Sequence, residues 1–338
     1  MGKIVETQGS VRVDLLGGTI DLRPINLILP NVVTLNLASG LKAKVRLEET
    51  SRDGIEIISK DYESENFFPS NDFTQEKLCS DHFGPLSFVA QIIDLFELHK
   101  NLKVTLESGS PAGAGLGGSS SMGVTLYKAL CEYTGKSLDR ENAIHVVNDL
   151  EGRILNCGPA GYQDYYPALF GGVLALKATP GKVEIEQLFT KELKVALEQR
   201  LTLVYSGQTR LSGINNWEVY KQFFDGVEET RHGLSRIAEL SADAYHKIKN
   251  KQFSDLADLI KQEGEVRRNL FPKILSPEME KLYNSIENDV PGLGIKVCGA
   301  GGGGCFLLVH NENEGEKVKD LVTQYGMTVL DFQVESSL

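Results

Sequence analysis

The chain has 338 residues, of which 41% are hydrophobic and 24% charged, and its net charge is −11. These values are typical of a globular protein long enough for two domains, and the acidic balance argues against nucleic-acid binding. The five cysteines form no Cys-x-x-Cys pair and the six histidines form no His-Glu-x-x-His motif, which disfavours a zinc site. We expect a cytoplasmic protein with free thiols, because the sequence contains neither a signal-peptide core nor an apolar run of membrane-spanning length.

The first half of the chain predicts a series of strands interrupted by helices. Apolar patterning predicts strands at 11–16, 32–37, 41–47, 55–58, 102–107 and 171–176. Helical spacing predicts helices at 86–98, 122–133 and 138–155. Gly17-Gly18 ends the first strand, and a turn at Ser39-Gly40 separates the second strand from the third.

The second half begins at a change of composition near residues 180–200, where Pro180-Gly181 breaks the chain. The pattern beyond it predicts strands at 201–205, 293–298, 305–309 and 329–334, and helices at 215–250, 253–268 and 314–325. Another helix is predicted to begin at Pro277 with Ser276 as its N-cap. The mixture predicts an α+β protein of two lobes, divided into residues 1–198 and 199–338.

A glycine-rich segment at residues 111–123 joins a predicted strand to a predicted helix. Glycines let backbone amides approach an anion, and the following helix adds unpaired N–H groups, so the segment predicts a polyphosphate site. It lacks the Gly-Lys-Ser/Thr of a P-loop and the spacing of a dinucleotide-binding motif; the alternative is a tight structural turn. The candidate contacts are Pro111, Gly113, Ala114, Gly115, Leu116, Gly117, Gly118, Ser119, Ser120 and Ser121.

Two further segments strengthen that interpretation. Residues 296–305 place a run of glycines between two apolar strands, which indicates either close approach of another backbone or a flexible hairpin. Near the N-terminus, Arg12 interrupts an apolar strand and Asp21 follows the glycine turn. Arg12 is either an exposed edge residue or a buried cation with a partner. Asp21 is either a turn residue or a ligand for a hydroxyl group.

In this order, the three segments resemble the motifs of the GHMP kinases, and the resemblance covers nearly the whole chain. It implies an N-terminal lobe like domain 2 of ribosomal protein S5, a ferredoxin-like C-terminal lobe, and ATP in the cleft between them. Within the superfamily, residues 16–21, 117–120, 161–172 and 297–306 resemble those of bacterial heptose kinases. Those enzymes phosphorylate the anomeric hydroxyl of D-glycero-D-manno-heptose 7-phosphate. The first motif here is one glycine shorter, and the stretch 151–164 is one residue longer.

The resemblance implies a role for each candidate residue. Asp164 would be the catalytic base and Arg12 the cation facing it, and an arginine there is similar to the sugar-kinase version of the motif, where mevalonate kinases have a lysine. Ser119 and Glu151 would hold Mg²⁺. Asp21 would accept hydrogen bonds from a sugar. Further acceptor contacts are predicted at Gln163, Tyr165 and Arg210, and Arg210, Arg267 and Arg268 are candidates for a distal phosphate.

The prediction is an ATP-dependent kinase for a sugar or sugar phosphate, with Mg²⁺ and with a homodimer as one assembly. A mevalonate- or phosphomevalonate-type kinase is the first alternative. A non-catalytic ATP and sugar sensor on the same fold is the second, and the presence of all four catalytic and metal residues argues against it.

Overall fold

The computed structural model describes residues 2–111, 113–155, 161–209 and 216–338. Its strands are β1 (Ile4–Leu16), β2 (Thr34–Glu49), β3 (Gly54–Ser59), β4 (Ser64–Pro69), β5 (Leu102–Glu107), β6 (Val173–Thr179), β7 (Lys182–Gln187), β8 (Leu201–Tyr205), β9 (Gly294–Val297), β10 (Cys305–Val309) and β11 (Thr328–Val329). Its helices are α1 (Ile25–Ile28), α2 (Gln75–Leu78), α3 (Ser87–Asp94), α4 (Gly118–Thr134), α5 (Arg140–Leu155), α6 (Tyr166–Phe170), α7 (Lys191–Glu198), α8 (Asn216–Phe224), α9 (Glu228–Lys249), α10 (Leu256–Leu270), α11 (Pro277–Ile286) and α12 (Gly315–Gln324). None of these helices is long and apolar enough to cross a membrane. The mixture of sheet and helix confirms the predicted α+β class.

The N-terminal lobe is built on a seven-stranded sheet in the order β4-β3-β5-β2-β6-β7, with β1 paired to β2. The predicted turn at Ser39-Gly40 is wrong, because β2 continues through it, with a shift in its register against β1. Residues from distant parts of the chain supply hydrogen-bond partners for this stretch of β2. The Ser39 hydroxyl donates to the Val11 carbonyl, and the Gly40 amide donates to the Gln333 carbonyl. A Ser-Gly pair that resembles a turn therefore continues as a strand.

The C-terminal lobe contains a four-stranded antiparallel sheet in the order β11-β8-β10-β9. The single long helix predicted at 215–250 is two helices, α8 and α9, separated at Gly226, whose φ of 80° favours glycine. The predicted N-cap is confirmed, because the Ser276 side chain accepts a hydrogen bond from the Met279 amide at 3.3 Å.

The last residues of the chain return to the N-terminal lobe. The Glu335 amide donates to the Ala38 carbonyl at 2.9 Å, and the Leu338 amide donates to the Phe170 carbonyl at 2.9 Å. The predicted lobe boundary at 198/199 stays a prediction. It falls between β7, the last strand of the larger sheet, and β8, the first strand of the smaller one.

Among the described residues, buried apolar side chains form three clusters, and the middle one joins the lobes. One cluster lies between the larger sheet and α3, α4 and α5, and another lies between the smaller sheet and the C-terminal helices. The middle cluster contains Val11 and Leu35 from the larger sheet together with Leu203 and Leu307 from the smaller one. Since burial of apolar area stabilises by about 25 cal/mol per Å², this shared cluster holds the two lobes against each other.

Candidate active site

The glycine-rich loop before α4 turns its carbonyl groups inward. The Ala114 carbonyl accepts from the Cys305 amide at 2.7 Å, and the Leu116 carbonyl accepts from the Arg12 amide at 3.1 Å. Between them, the Gly115 carbonyl accepts from Arg12 Nη1 at 2.6 Å. In a trans peptide the N–H points opposite to the C=O, so the amides that follow these three carbonyls point away from the protein interior.

Those outward amides continue into the start of α4. The N-cap is Gly117, in the left-handed conformation with a φ of 68°, and no side chain caps the helix. The Ser121 amide donates to the Gly117 carbonyl, so the amides of residues 118–120 precede the first intrahelical bond. Ser119 is therefore not the N-cap of this helix. The loop and the uncapped helix together form a row of N–H donors suited to an anion.

The second glycine run lies directly against this loop. A Cβ added at Gly299 would lie 2.9 Å from the Gly115 carbonyl oxygen, and one added at Gly304 would lie 2.7 Å from the Ala114 carbonyl oxygen. Side chains do not fit at such distances from backbone. The prediction that these glycines permit close approach of another backbone is confirmed.

Arg12 is buried, and its guanidinium connects all of these segments. Its Nε donates to Asp164 Oδ1 at 2.8 Å, and its Nη1 donates to the carbonyls of Gly115 and Cys298. Burial would lower the pKa of Arg12, but the carboxylates of Asp164 and Asp14 outweigh it and raise that pKa. The guanidinium is therefore a fixed positive charge beside the loop. The Asp164 side chain remains 27% exposed, so one face of this ion pair is open.

Glu151 on α5 lies near the start of α4. Its Oε2 accepts hydrogen bonds from Ser120 Oγ at 2.7 Å and from the Tyr165 hydroxyl at 2.6 Å. Burial raises the pKa of Glu151, while hydrogen bonds from Ser120, Tyr165 and Ser119 oppose that change. A carboxylate beside two serine hydroxyls is a donor set that suits Mg²⁺. Within the described ranges, no three His, Cys, Asp or Glu side chains cluster to hold a metal by themselves.

The residues predicted to contact the acceptor differ in what they contact in the structure. Asp21 is buried, and its Oδ2 accepts from the Gln163 amide at 3.2 Å. Burial and the nearby charge of Asp164 raise the pKa of Asp21 to about 7. Tyr165 is fully buried and directed at Glu151, which makes it a support for that carboxylate and not the open contact the sequence suggested. Arg210 lies outside the described residues.

Comparison with known proteins identifies the family. The model of the GHMP kinase N-terminal domain matches residues 87–172, and that of the GHMP kinase C-terminal domain matches residues 234–326. The chain belongs to the GHMP kinases.

Curated relatives of the kinase share about a quarter of its residues. The D-glycero-alpha-D-manno-heptose 7-phosphate kinase of Campylobacter jejuni is 26% identical over 98% of this chain and 96% of its own length. The bifunctional fucokinase/GDP-fucose pyrophosphorylase of Arabidopsis thaliana is 26% identical over 92% of the chain, and the chain spans only 30% of that protein. Among solved structures, the mevalonate kinase of Methanococcus jannaschii has a TM-score of 0.75, with 20% identity over 99% of both chains.

The kinase also contains a buried group of charges that sequence reasoning missed. Asp14 of β1, Lys296 of β9, and Glu263 and Arg267 of α10 meet between the lobes, each with a side chain no more than 3% exposed. We call these four residues the interlobe cluster. Arg267, a candidate for a distal phosphate in the sequence, is instead enclosed here. One signal was available: Asp14 and Lys296 each interrupt an apolar strand, as Arg12 does.

Proposed function

We propose that the protein transfers the γ-phosphoryl group of ATP to the hydroxyl of a sugar, and that the acceptor is the anomeric hydroxyl of a heptose 7-phosphate or a related sugar. The observation that carries this proposal is the Arg12–Asp164 pair, at 2.8 Å, beside a loop with outward amides. Phosphoryl transfer requires charge neutralisation next to an activated hydroxyl, and this arrangement supplies both.

In this proposal the nucleotide phosphates lie against the predicted contacts between Pro111 and Ser121. The amides after Ala114, Gly115 and Leu116 would hold phosphate oxygens, helped by the positive end of α4. When bound there, Mg²⁺ would supply positive charge that offsets the charge of the phosphates. Glu151 would hold the ion together with Ser119, and Ser120 and Tyr165 would orient the carboxylate.

Asp164 would take the proton from the attacking hydroxyl. Its open face leaves room for an acceptor, while its other side is held by the Arg12 Nε. The fixed cation is placed to offset charge that develops on the transferred phosphoryl group.

Asp21, Gln163 and Arg210 would form the acceptor side of the site. The Asp21 carboxyl would form hydrogen bonds with hydroxyl groups of a sugar, and its ionised form, populated above its raised pKa of about 7, would repel an acceptor with a carboxylate of its own, which favours a sugar over mevalonate. The curated heptose 7-phosphate kinase relative supports the same choice. A mevalonate-type acceptor remains the second candidate, because the mevalonate kinase structure has the same fold over nearly its full length.

A panel of acceptors tests the proposal. Heptose 7-phosphate, mannose, galactose, fucose and mevalonate would be offered with Mg²⁺ and ATP in an assay coupled to ADP release. Phosphorus NMR would then locate the new bond. We expect a sugar phosphorylated at its anomeric oxygen. Turnover of mevalonate alone would replace the sugar with the second candidate, and no turnover with any acceptor would favour the sensor.

A further inference from the structure

The interlobe cluster brings together four charges from three elements that are far apart in the chain. Asp14 Oδ2 lies 3.1 Å from Arg267 Nη1 and 3.0 Å from Lys296 Nζ. Glu263 Oε1 lies 3.5 Å from Lys296 Nζ and 3.8 Å from Arg267 Nη1. Each carboxylate thus faces both cations. Enclosing four charges is costly, so such a cluster is weak as a simple stabiliser.

Arg267 has a further pair of contacts that point out of the cluster. Its Nη2 donates to the Thr19 hydroxyl at 3.2 Å and to the Gly299 carbonyl at 3.1 Å. Thr19 has a φ of 75°, a conformation that costs energy for a β-branched residue and persists only when neighbours hold it. Glu263 anchors the same turn, because its Oε2 accepts from the Gly17 amide at 2.8 Å.

The two contacts of Arg267 Nη2 belong to opposite sides of the proposed reaction. Thr19 lies two residues before Asp21, on the segment 17–22 that we call the acceptor loop. Gly299 lies against Gly115, so it supports residues 113–120, which we call the phosphate loop. One planar guanidinium, held by two buried carboxylates, therefore links the acceptor loop to the glycine that supports the phosphate loop.

We propose that Arg267 is a positioning residue that couples the phosphate loop to the acceptor loop, so that a nucleotide bound at the first loop orders the second. This rests on the proposed function, because it takes the nucleotide to bind at the phosphate loop. Coupling between two sites requires a physical link to both; the Arg267 guanidinium contacts the acceptor loop directly and reaches the phosphate loop through Gly299. The interlobe cluster holds the Arg267 guanidinium in place, and the guanidinium couples ordering of the phosphate loop to ordering of the acceptor loop.

Amide hydrogen exchange on the full chain tests the coupling without an acceptor or turnover. Exchange would be measured with and without Mg²⁺ and the non-hydrolysable analogue AMP-PNP. In the parent we expect AMP-PNP to slow exchange in both loops, with a roughly tenfold effect in the acceptor loop, within the range usual for coupled sites.

Two variants separate coupling from a merely structural role. Arg267→Lys keeps the buried charge but loses the planar guanidinium and its several N–H donors. Thr19→Val removes the hydroxyl that accepts from Arg267 and leaves the four residues of the interlobe cluster unchanged. In both variants, AMP-PNP should still slow amide exchange in the phosphate loop but should no longer slow it in the acceptor loop. Thr19→Ser, which restores a hydroxyl, should behave as the parent does. The matched control is Arg236→Lys, because Arg236 makes surface contacts with Glu239 and Gln262 in the same lobe.

The outcomes distinguish the two proposals. If AMP-PNP does not slow exchange in the phosphate loop of the parent, the proposed nucleotide site is wrong, and the coupling falls with it. If the phosphate loop responds but the acceptor loop of the parent does not, only the coupling is wrong. The coupling is also wrong if AMP-PNP slows exchange in both loops of Thr19→Val as it does in the parent. This test stands even where Arg267→Lys fails to fold.

Discussion

Two charged groups that include residues from the same face of β1, the Arg12–Asp164 pair and the interlobe cluster around Asp14, differ in their access to solvent. Arg12 and Asp14 are two residues apart, so their side chains leave the strand on one face. Arg12 pairs with Asp164, which is 27% exposed, whereas the side chain of Asp14 is 1% exposed within the interlobe cluster. An open pair can give up contacts to a substrate, while a closed cluster can only hold its surroundings in place. Burial thus separates the group with a proposed catalytic role from the group with a proposed positioning role.

The largest expected effect is a loss of stability on opening the closed cluster. Asp14→Asn leaves Lys296 and Arg267 buried with one carboxylate between them. We expect the free energy of unfolding to fall by about 3–5 kcal/mol, measured by urea denaturation at pH 7. Glu263→Gln should cost less, because burial already raises the pKa of Glu263 to about 7 and leaves that carboxyl partly neutral. Equal losses for the two variants would mean that the charge balance of the cluster does not matter.

The open pair should show the reverse, with a large effect on rate and a small one on stability. We expect Asp164→Asn to reduce turnover by roughly 10²-fold or more while Mg²⁺·ATP binding is kept. The control is Asp149→Asn, on an exposed position of α5. Near-normal turnover in Asp164→Asn would remove Asp164 from the mechanism, and an unfolding loss as large as that of Asp14→Asn would erase the difference between the two groups.

A third measurement uses the raised pKa of Asp21, which lies near the open pair. The folded protein keeps the Asp21 proton up to a pKa of about 7, whereas the ordinary pKa of this carboxyl is 3.8. Stability from this group is therefore complete below pH 3.8 and is lost as pH rises towards 7. Between those values the slope is up to about 1.4 kcal/mol per pH unit. Asp21→Asn should lack this contribution, so the difference in unfolding free energy between parent and variant should change across that window. A constant difference would show that Asp21 titrates normally.

The smallest expected effect concerns the proposed metal. Glu151→Gln removes the carboxylate charge and keeps the shape of the side chain. We expect the Mg²⁺ concentration for half-maximal activity to rise roughly tenfold, since the remaining protein ligand is a neutral hydroxyl. The matched control is Glu141→Gln at the exposed start of the same helix. Overlapping Mg²⁺ titrations for parent and Glu151→Gln would show that Glu151 does not hold the ion.

Local patterns predicted the parts of the site whose chemistry depends on neighbouring residues. The glycine-rich loop was visible because an anion site at a helix start needs amides that side chains leave uncovered, and Ser276 was visible because a cap acts on the amide three residues later. The same local reasoning was wrong at Ser39-Gly40 and at the break between α8 and α9. In the first case, the carbonyls of residues 11 and 333 accept hydrogen bonds from a stretch that by itself resembles a turn.

By itself, the sequence determined the α+β class, the GHMP kinase family and the glycine loop, because each depends on a contiguous pattern. Only the tertiary structure decided which charges lie open and which lie enclosed. Arg267 and Lys296 reach Asp14 across 253 and 282 residues of chain, and Tyr165 turns to Glu151 instead of to the cleft. The physical reason is that burial depends on how the lobes pack, and no local pattern records which distant side chain will balance a charge.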